Sequence, residues 1–235
     1  MEDYSYILKN IEDIELRIKA AAEKSGRKKE EVLLLAVTKT LPTEKMRTAL
    51  LKGLKSFGEN KVQEITAKYD EFISDGVLWH LIGHLQTNKV KYIIDKVVMI
   101  HSVDSVKLAS EINKRAKDKG IVMDILLEIN IAREESKFGI NPNEVFDIIN
   151  EIKDYENIRV RGLMAVAPFV ENGEENRPYF KQMKQLLVDI NEKKFNNICM
   201  NILSMGMTGD YETAIEEGAN IVRIGTGIFG ARKYN

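Results

Sequence analysis

The sequence predicts an α/β protein of the (β/α)8 TIM barrel class, a single domain over residues 1–235 whose first 26 residues form an extra helix packed on the barrel. Three observations carry that prediction. Short segments that are apolar at nearly every position alternate with helical segments until eight strands are counted, and continuous apolar runs are what strands covered on both faces look like. The 235-residue length is that of one such barrel. No linker, low-complexity tract or fixed-period repeat interrupts the chain. An open doubly wound sheet is the second architecture compatible with the same alternation.

Taken in order, Ile7, Ile11, Ile14 and Ile18 recur at helical spacing between charged residues, so residues 5–23 read as an amphipathic helix that ends at Ser25 and Gly26. The first strand, about 32–38, is apolar up to Thr38, and Pro42 with Thr43 starts a helix over 43–52. SFG at 56–58 leads into a helix over 59–69, and VLWHLIG at 77–83 into a helix over 88–95. VVMIHSV at 97–103 precedes a helix running to Lys119, with Asp104 or Ser105 as N-cap. IVMDILLEIN at 121–130 is the fifth strand, and a charged loop separates it from a helix beginning near Pro142. IRVRGLM at 158–164 is followed by a proline-bearing loop, a lid or an ordinary connection, and a helix over 176–194. CMNILS at 199–204 leads to a helix over 210–217 with Gly218 at C′. NIVRIG at 220–225 closes the set, and almost nothing is expected after it.

Composition excludes several classes. With 44% hydrophobic and 30% charged residues the chain is neither disordered nor fibrous. A formal net charge of -1 gives no electrostatic case for nucleic acid or an anionic membrane. No apolar run reaches the length of a membrane span, and Glu2, Asp3, Glu12, Asp13 and Glu15 are wrong for an export or transit signal. The single cysteine, Cys199, fits a reducing compartment and reads as a small buried hydrophobe. A cytoplasmic monomer is the expectation.

Barrels carry their chemistry in the turns after the C-terminal ends of the strands. That rule selects Lys39, Asn60, His84, His101, Met164, Ser204 with Gly206, and Arg223 with Gly225 and Thr226. Lys39 follows directly on a buried strand, where lost hydration disfavours the charged amine and makes it a candidate imine former. A lysine that merely snorkels out at a strand end is the plain alternative. SMGMTGD after the seventh strand and RIGTGIFG after the eighth supply hydroxyls and glycines where barrels commonly hold phosphate, although glycines also serve simply to tighten turns.

Other matches carry less. GTGIFG fits the G-x-G-x-x-G dinucleotide pattern, but only five residues follow it, too few for the helix, strand and acidic residue the fingerprint requires. His80 and His84 stand at a metal-ligand spacing, yet on a strand and turn with no further ligand beside them, so no metal is expected. The charged runs around 27–31 and 171–175 read as solvated faces.

Together AVTKT around Lys39, FGENKVQE at 57–64, WHLIGHLQTNK at 79–89, HSVD at 101–104, SKFG at 136–139, GLM at 162–164, SMGMTGD at 204–210 and VRIGTGIFG at 222–230 closely resemble the YggS/PROSC group of pyridoxal phosphate homeostasis proteins. The matches run in register along nearly the whole chain. The resemblance implies the barrel of the alanine racemase N-terminal domain with pyridoxal 5′-phosphate as cofactor. It implies that Lys39 forms the Schiff base with the cofactor aldehyde, that Ser204, Gly225 and Thr226 hold the phosphate, that Arg223 faces the pyridine nitrogen, and that Asn60 lies beside the ring. Lys61, Thr208 and Gly227 depart from the group's usual aromatic residue, serine and alanine, without removing an implied contact.

Alanine racemases complete their site with a tyrosine from a further β domain, whereas this sequence ends at ARKYN after the eighth strand. The expectation is therefore a carrier that buffers pyridoxal phosphate or delivers it to apoenzymes, with no catalytic residues assigned. The alternatives are an amino acid racemase or lyase, for which His80, His84 or Tyr234 would have to be the second proton donor, and a cofactor-free Schiff-base aldolase working through Lys39.

Overall fold

The computed structural model describes residues 4–134, 136–195 and 198–231, with Cys199 described in its backbone alone. The reading of that thiol and of Tyr234 therefore lies outside the described residues. Eight parallel strands close into a barrel in chain order: β1 (Leu33–Val37), β2 (Ser56–Glu59), β3 (Leu78–Leu81), β4 (Met99–Val103), β5 (Met123–Glu128), β6 (Ile158–Met164), β7 (Ile198–Ser204) and β8 (Ile221–Ile224). β8 returns to β1 with Arg223 opposite Leu35. Parallel neighbours need a crossover, and α2 (Thr43–Leu50), α3 (Val62–Tyr69), α4 (Val106–Lys119), α5 (Val145–Ile152), α6 (Arg177–Glu192) and α7 (Tyr211–Glu216) supply most of them, after the leading α1 (Ser5–Lys24). The barrel and its extra N-terminal helix are as the sequence pattern predicts, and the doubly wound alternative is excluded by closure.

Three elements differ from the sequence reading. Between β3 and β4 the chain forms a 3-10 helix, Thr87–Tyr92, in which Val90 is the one buried residue, so there is no apolar stripe on which an α-helix could seat. α3 begins at Val62, because Asn60 and Lys61 stay outside it and Lys61 is still extended. A short helix, α8 (Thr226–Phe229), follows β8 where almost nothing was expected. Its Ile228 and Phe229 are buried, and its carbonyls are met from α1 by the Tyr6 hydroxyl (2.9 Å to Phe229 O) and Asn10 Nδ2 (2.9 Å to Ile228 O).

Strand side chains alternate between two cores. Leu34, Ala36, Phe57 and Trp79 face the helices and join the large outer cluster, where the Trp79 ring packs edge-on against Phe72. Leu35, Met99, Leu126, Met164 and Ile221 fill the lumen. α1 adds the stripe Ile7, Ile11, Ile14 and Ile18 to the outer cluster. Arg27, read from sequence as part of a solvated run, is half-buried and donates to Ala219 O (3.0 Å) and Ile215 O behind α7. Burial lowers its pKa from the usual guanidinium value. Among the described residues, no helix is long and apolar enough to cross a membrane.

Gly162 shows how tightly β6 and β7 meet. The register between them shifts from Val160 to Gly162, and a Cβ on Gly162 would stand 1.9 Å from the Ile202 carbonyl oxygen. Gly162→Ala is expected to cost about 3 kcal/mol through forced strand separation. For a chain of this size that lowers the thermal midpoint by roughly 6–12 °C, measurable by calorimetry against wild type.

Candidate functional site

The inward set of β1 continues past the strand end. Leu35 lies in the lumen, and Val37 and Lys39, at steps of two, line a cleft of about 400 Å³ at the C-terminal mouth of the barrel. The same alternation on β8 carries Ile221, Arg223 and Gly225 inward, and past β2 it brings Asn60 to the cleft. Of the six residues to which the resemblance gives a cofactor contact, Lys39, Asn60, Arg223, Gly225 and Thr226 line this one cleft. Lys39 is half-buried.

Ser204 does not line the cleft. Its side chain is fully buried, and its hydroxyl accepts from Arg223 Nη1 (2.8 Å) and pairs with His101 Nδ1 (3.0 Å). Arg223 also donates to Ser204 O (2.6 Å) and Ala165 O (2.8 Å). Those bonds use three of its five N–H groups and leave Nε–H and one Nη2–H without a partner among the described residues. Burial lowers the Arg223 pKa to about 10, with Glu128 and Asp210 pulling it back up, so the guanidinium remains charged at neutral pH.

Arg223 can only donate, so the Ser204 proton is available to His101 Nδ1; the tautomer that accepts it carries its own proton on Nε2, which faces His80 Nδ1 2.9 Å away. Burial, acting with the neighbouring His80 and Arg223, lowers the His101 pKa well below the usual value, and burial lowers that of His80 to about 4. Two neutral imidazoles thus sit behind a buried cation. His84 diverges from His80: its ring stacks on Phe138 with centroids 3.9 Å apart, and its Nδ1 faces Asp104 at 3.3 Å.

The turns after β7 and β8 meet through their hydroxyls. Thr226 Oγ1 lies 3.2 Å from Thr208 Oγ1, which also accepts from Gly227 N at 3.2 Å. A Cβ on Gly227 would come within 3.1 Å of the Thr208 methyl, so glycine there lets the two turns approach. Thr208 lines the cleft, whereas Ser204 does not. Asp210 holds its turn by accepting from Met207 N (2.7 Å) and from Asn176 Nδ2 (2.8 Å). Asn176 also donates to Pro168 O (3.0 Å), tying down the segment after β6, whose Val166, Pro168, Phe169 and Val170 form one wall of the cleft. Its buried Oδ1 has no partner among the described residues.

Asp210, Asn176 and Glu128 carry no assignment in the sequence reading, and Thr208 enters it only as a departure within the phosphate-turn motif. Thr208 and Asp210 stand inside the SMGMTGD motif and were within reach. Glu128 ends β5, and burial, then the nearby Asp104, raises its pKa to about 7 against the lowering effect of Arg223. One of its buried oxygens lacks a partner among the described residues. No spacing pattern in the sequence marks it.

The family model described as the N-terminal domain of alanine racemase matches residues 10–233 of this chain. A relative from Aquifex aeolicus named pyridoxal phosphate homeostasis protein is 46% identical over 218 residues, covering 93% of this chain and 95% of its own. A crystal structure of an unknown protein from Bifidobacterium adolescentis superposes with a TM-score of 0.91 at 36% identity, covering 97% of each chain. PipY of Synechococcus elongatus, solved with pyridoxal phosphate bound, does so with a TM-score of 0.79 at 32% identity, covering 85% of this chain and 93% of its own.

The two buried histidines are expected to stay neutral at about pH 6, where an unperturbed imidazole is mostly protonated; their 15N ring shifts report this directly. Below about pH 6.5 the unfolded chain takes up protons that the folded barrel refuses, so the contribution of His80 shrinks as pH falls towards about 4. Replacing His80 by Gln should flatten that part of the stability profile.

Proposed function

The chain belongs to the alanine racemase N-terminal-domain family, and on that footing we propose that it is a pyridoxal 5′-phosphate holder of the cytoplasm. In this reading it acts as a monomer, keeps the cofactor on Lys39, and buffers it or passes it to apoenzymes with little turnover of its own. The observation that carries the reading is that an amine, a glycine-and-hydroxyl turn pair and a buried cation share one cleft of about 400 Å³.

The residues present fit such a group. Its dianionic phosphate needs hydroxyl and backbone donors, which Thr208, Thr226 and Gly225 offer where Gly227 lets the turns close on each other. Its flat ring needs apolar walls, which Ile82 and Val166 offer. Asn60 would lie beside the ring. The open N–H groups of Arg223 suit an aromatic nitrogen acceptor. Ser204 takes part through Arg223, whose guanidinium it anchors, and its assignment to the phosphate is replaced by Thr208.

Bound there, pyridoxal phosphate supplies an aldehyde and an electron-accepting ring. Lys39 would supply the amine that holds that aldehyde. Arg223, protonated at neutral pH, would donate to the ring nitrogen, which would keep that nitrogen unprotonated and the ring a weak electron sink. Such a site favours holding the cofactor over running carbanion chemistry on amino acids.

Addition of pyridoxal phosphate to the protein is expected to give a visible absorption band that borohydride abolishes, fixing the added mass on the peptide containing Lys39. The same band unchanged in Lys39→Ala would overturn the assignment. With amino acids as substrates, racemisation or elimination is expected to stay well below about 1 per second, the lower end of ordinary enzymatic turnover. Rates in the usual enzymatic range would make the chain a racemase or lyase instead.

A further inference from the structure

Behind the cleft, on the outer face of β1, a buried cluster grips both residues that flank Lys39. Thr38 precedes it, and its side chain faces outward, where its hydroxyl donates to Glu59 Oε1 (2.7 Å). Lys68, on α3, donates to the Thr38 carbonyl (3.0 Å) and to the same Glu59 oxygen (2.8 Å). Thr40 follows Lys39 with φ of +61°, a left-handed conformation that is costly for a β-branched residue. Its N–H donates to Glu64 Oε2 at 2.7 Å, so a carboxylate one turn below Lys68 on α3 holds the strained peptide in place.

The two carboxyl groups also converge on one cation. Glu59 is fully buried and its Oε2 finds no donor among the described residues, while Lys68 Nζ lies 2.8 Å from Glu59 Oε1 and 4.0 Å from Glu64 Oε2. Two carboxyl groups crowded on one ammonium, one of them buried with an unpartnered oxygen, favour keeping one proton between them. The charged groups facing the pair are Lys68 and, beside Glu64, Lys61 at the start of α3.

We propose that Glu59, Glu64 and Lys68 are positioning residues for Lys39: they lock the residues on either side of it and so fix where its amine stands in the cleft. The shared proton completes the lock. With it, Glu59 donates to Glu64 and the pair carries one negative charge against Lys68. Without it, two adjacent carboxylates repel and the hold on Thr38 and Thr40 loosens. Burial, then the contact with Glu64, raises the Glu59 pKa to about 7. The lock is therefore set below that pH and slackens above it. The proposal deepens the reading of Lys39 as the cofactor's anchor and rests on it for its purpose, but its geometry is a property of the protein without cofactor.

The test uses the full chain free of cofactor. Limiting acetic anhydride, read by mass spectrometry, measures the pH profile of Lys39 acetylation, and amide exchange at Thr40 measures the grip on the backbone. Glu64→Ala is expected to speed Thr40 exchange about tenfold, the loss of one hydrogen bond to a charged acceptor, and to shift the Lys39 profile. Glu64→Gln keeps an acceptor for Thr40 and should recover most of the exchange protection. Glu59→Gln carries the bridging donor at every pH, so its Lys39 profile should match wild type below about pH 7 and depart from it above. It is nearly isosteric and carries the test by itself should Glu64→Ala not fold. Lys39 profiles of the folded variants that superpose on wild type across the whole range would overturn the proposal. Failure of the wild type to take up pyridoxal phosphate would instead strike at the cofactor reading, and the acetylation profiles would still decide on the lock.

Discussion

A closed parallel sheet leaves each strand two directions for its side chains, and the cleft depends on that constraint. Residues at steps of two along β1 pass from packing the lumen at Leu35 to lining the mouth at Val37 and Lys39. The intervening Leu34, Ala36 and Thr38 are committed to the helix side by the same geometry. On β8, Ile221, Arg223 and Gly225 repeat the pattern in register with β1. A one-residue slip in either strand would exchange Lys39 for Thr38, or Arg223 for an apolar neighbour.

Placing a guanidinium in that lumen creates an electrostatic problem, and its surroundings answer it. Arg223 is desolvated, and carbonyl oxygens of Ala165 and Ser204 with the Ser204 hydroxyl take the place of water on one side. Burial keeps both histidines behind Ser204 neutral, and at His101 the nearby Arg223 charge opposes protonation as well. Glu128 and Asp210 lend negative potential without a direct contact. Arg223 lines the cleft with two N–H groups that have no partner among the described residues, and these are what it has left for a ligand.

Much of the fold was legible because its causes are local or periodic. Continuous apolar runs marked the strands, Ser105 capped α4 by accepting from Leu108 N, and the isoleucines of α1 announced its buried stripe. The errors fell where neighbours decide. Thr87–Tyr92 has an acceptable helical composition but buries too little to hold an α-helix. α8 is four residues long and stands because Tyr6 and Asn10, more than 200 positions earlier, take its last carbonyls. Ser204 and Thr208 share the β7 turn motif, and only the direction of each side chain separates the residue that anchors Arg223 from the one that faces the cleft.

The sequence by itself determined the barrel, the placing of Lys39 and Arg223 at strand ends, and the hydroxyl-and-glycine character of the last two turns, since these follow from periodicity, composition and position along a strand. Tertiary structure alone decided which hydroxyl reaches the cleft, the partners of two buried histidines, and the grip of Glu59, Glu64 and Lys68 on the peptides around Lys39. The physical reason is that hydrogen-bond partners and desolvation are properties of juxtaposed elements. Glu59 and Glu64 read along the chain as two ordinary acidic residues; they converge on Lys68 only when β2 and α3 bring them together.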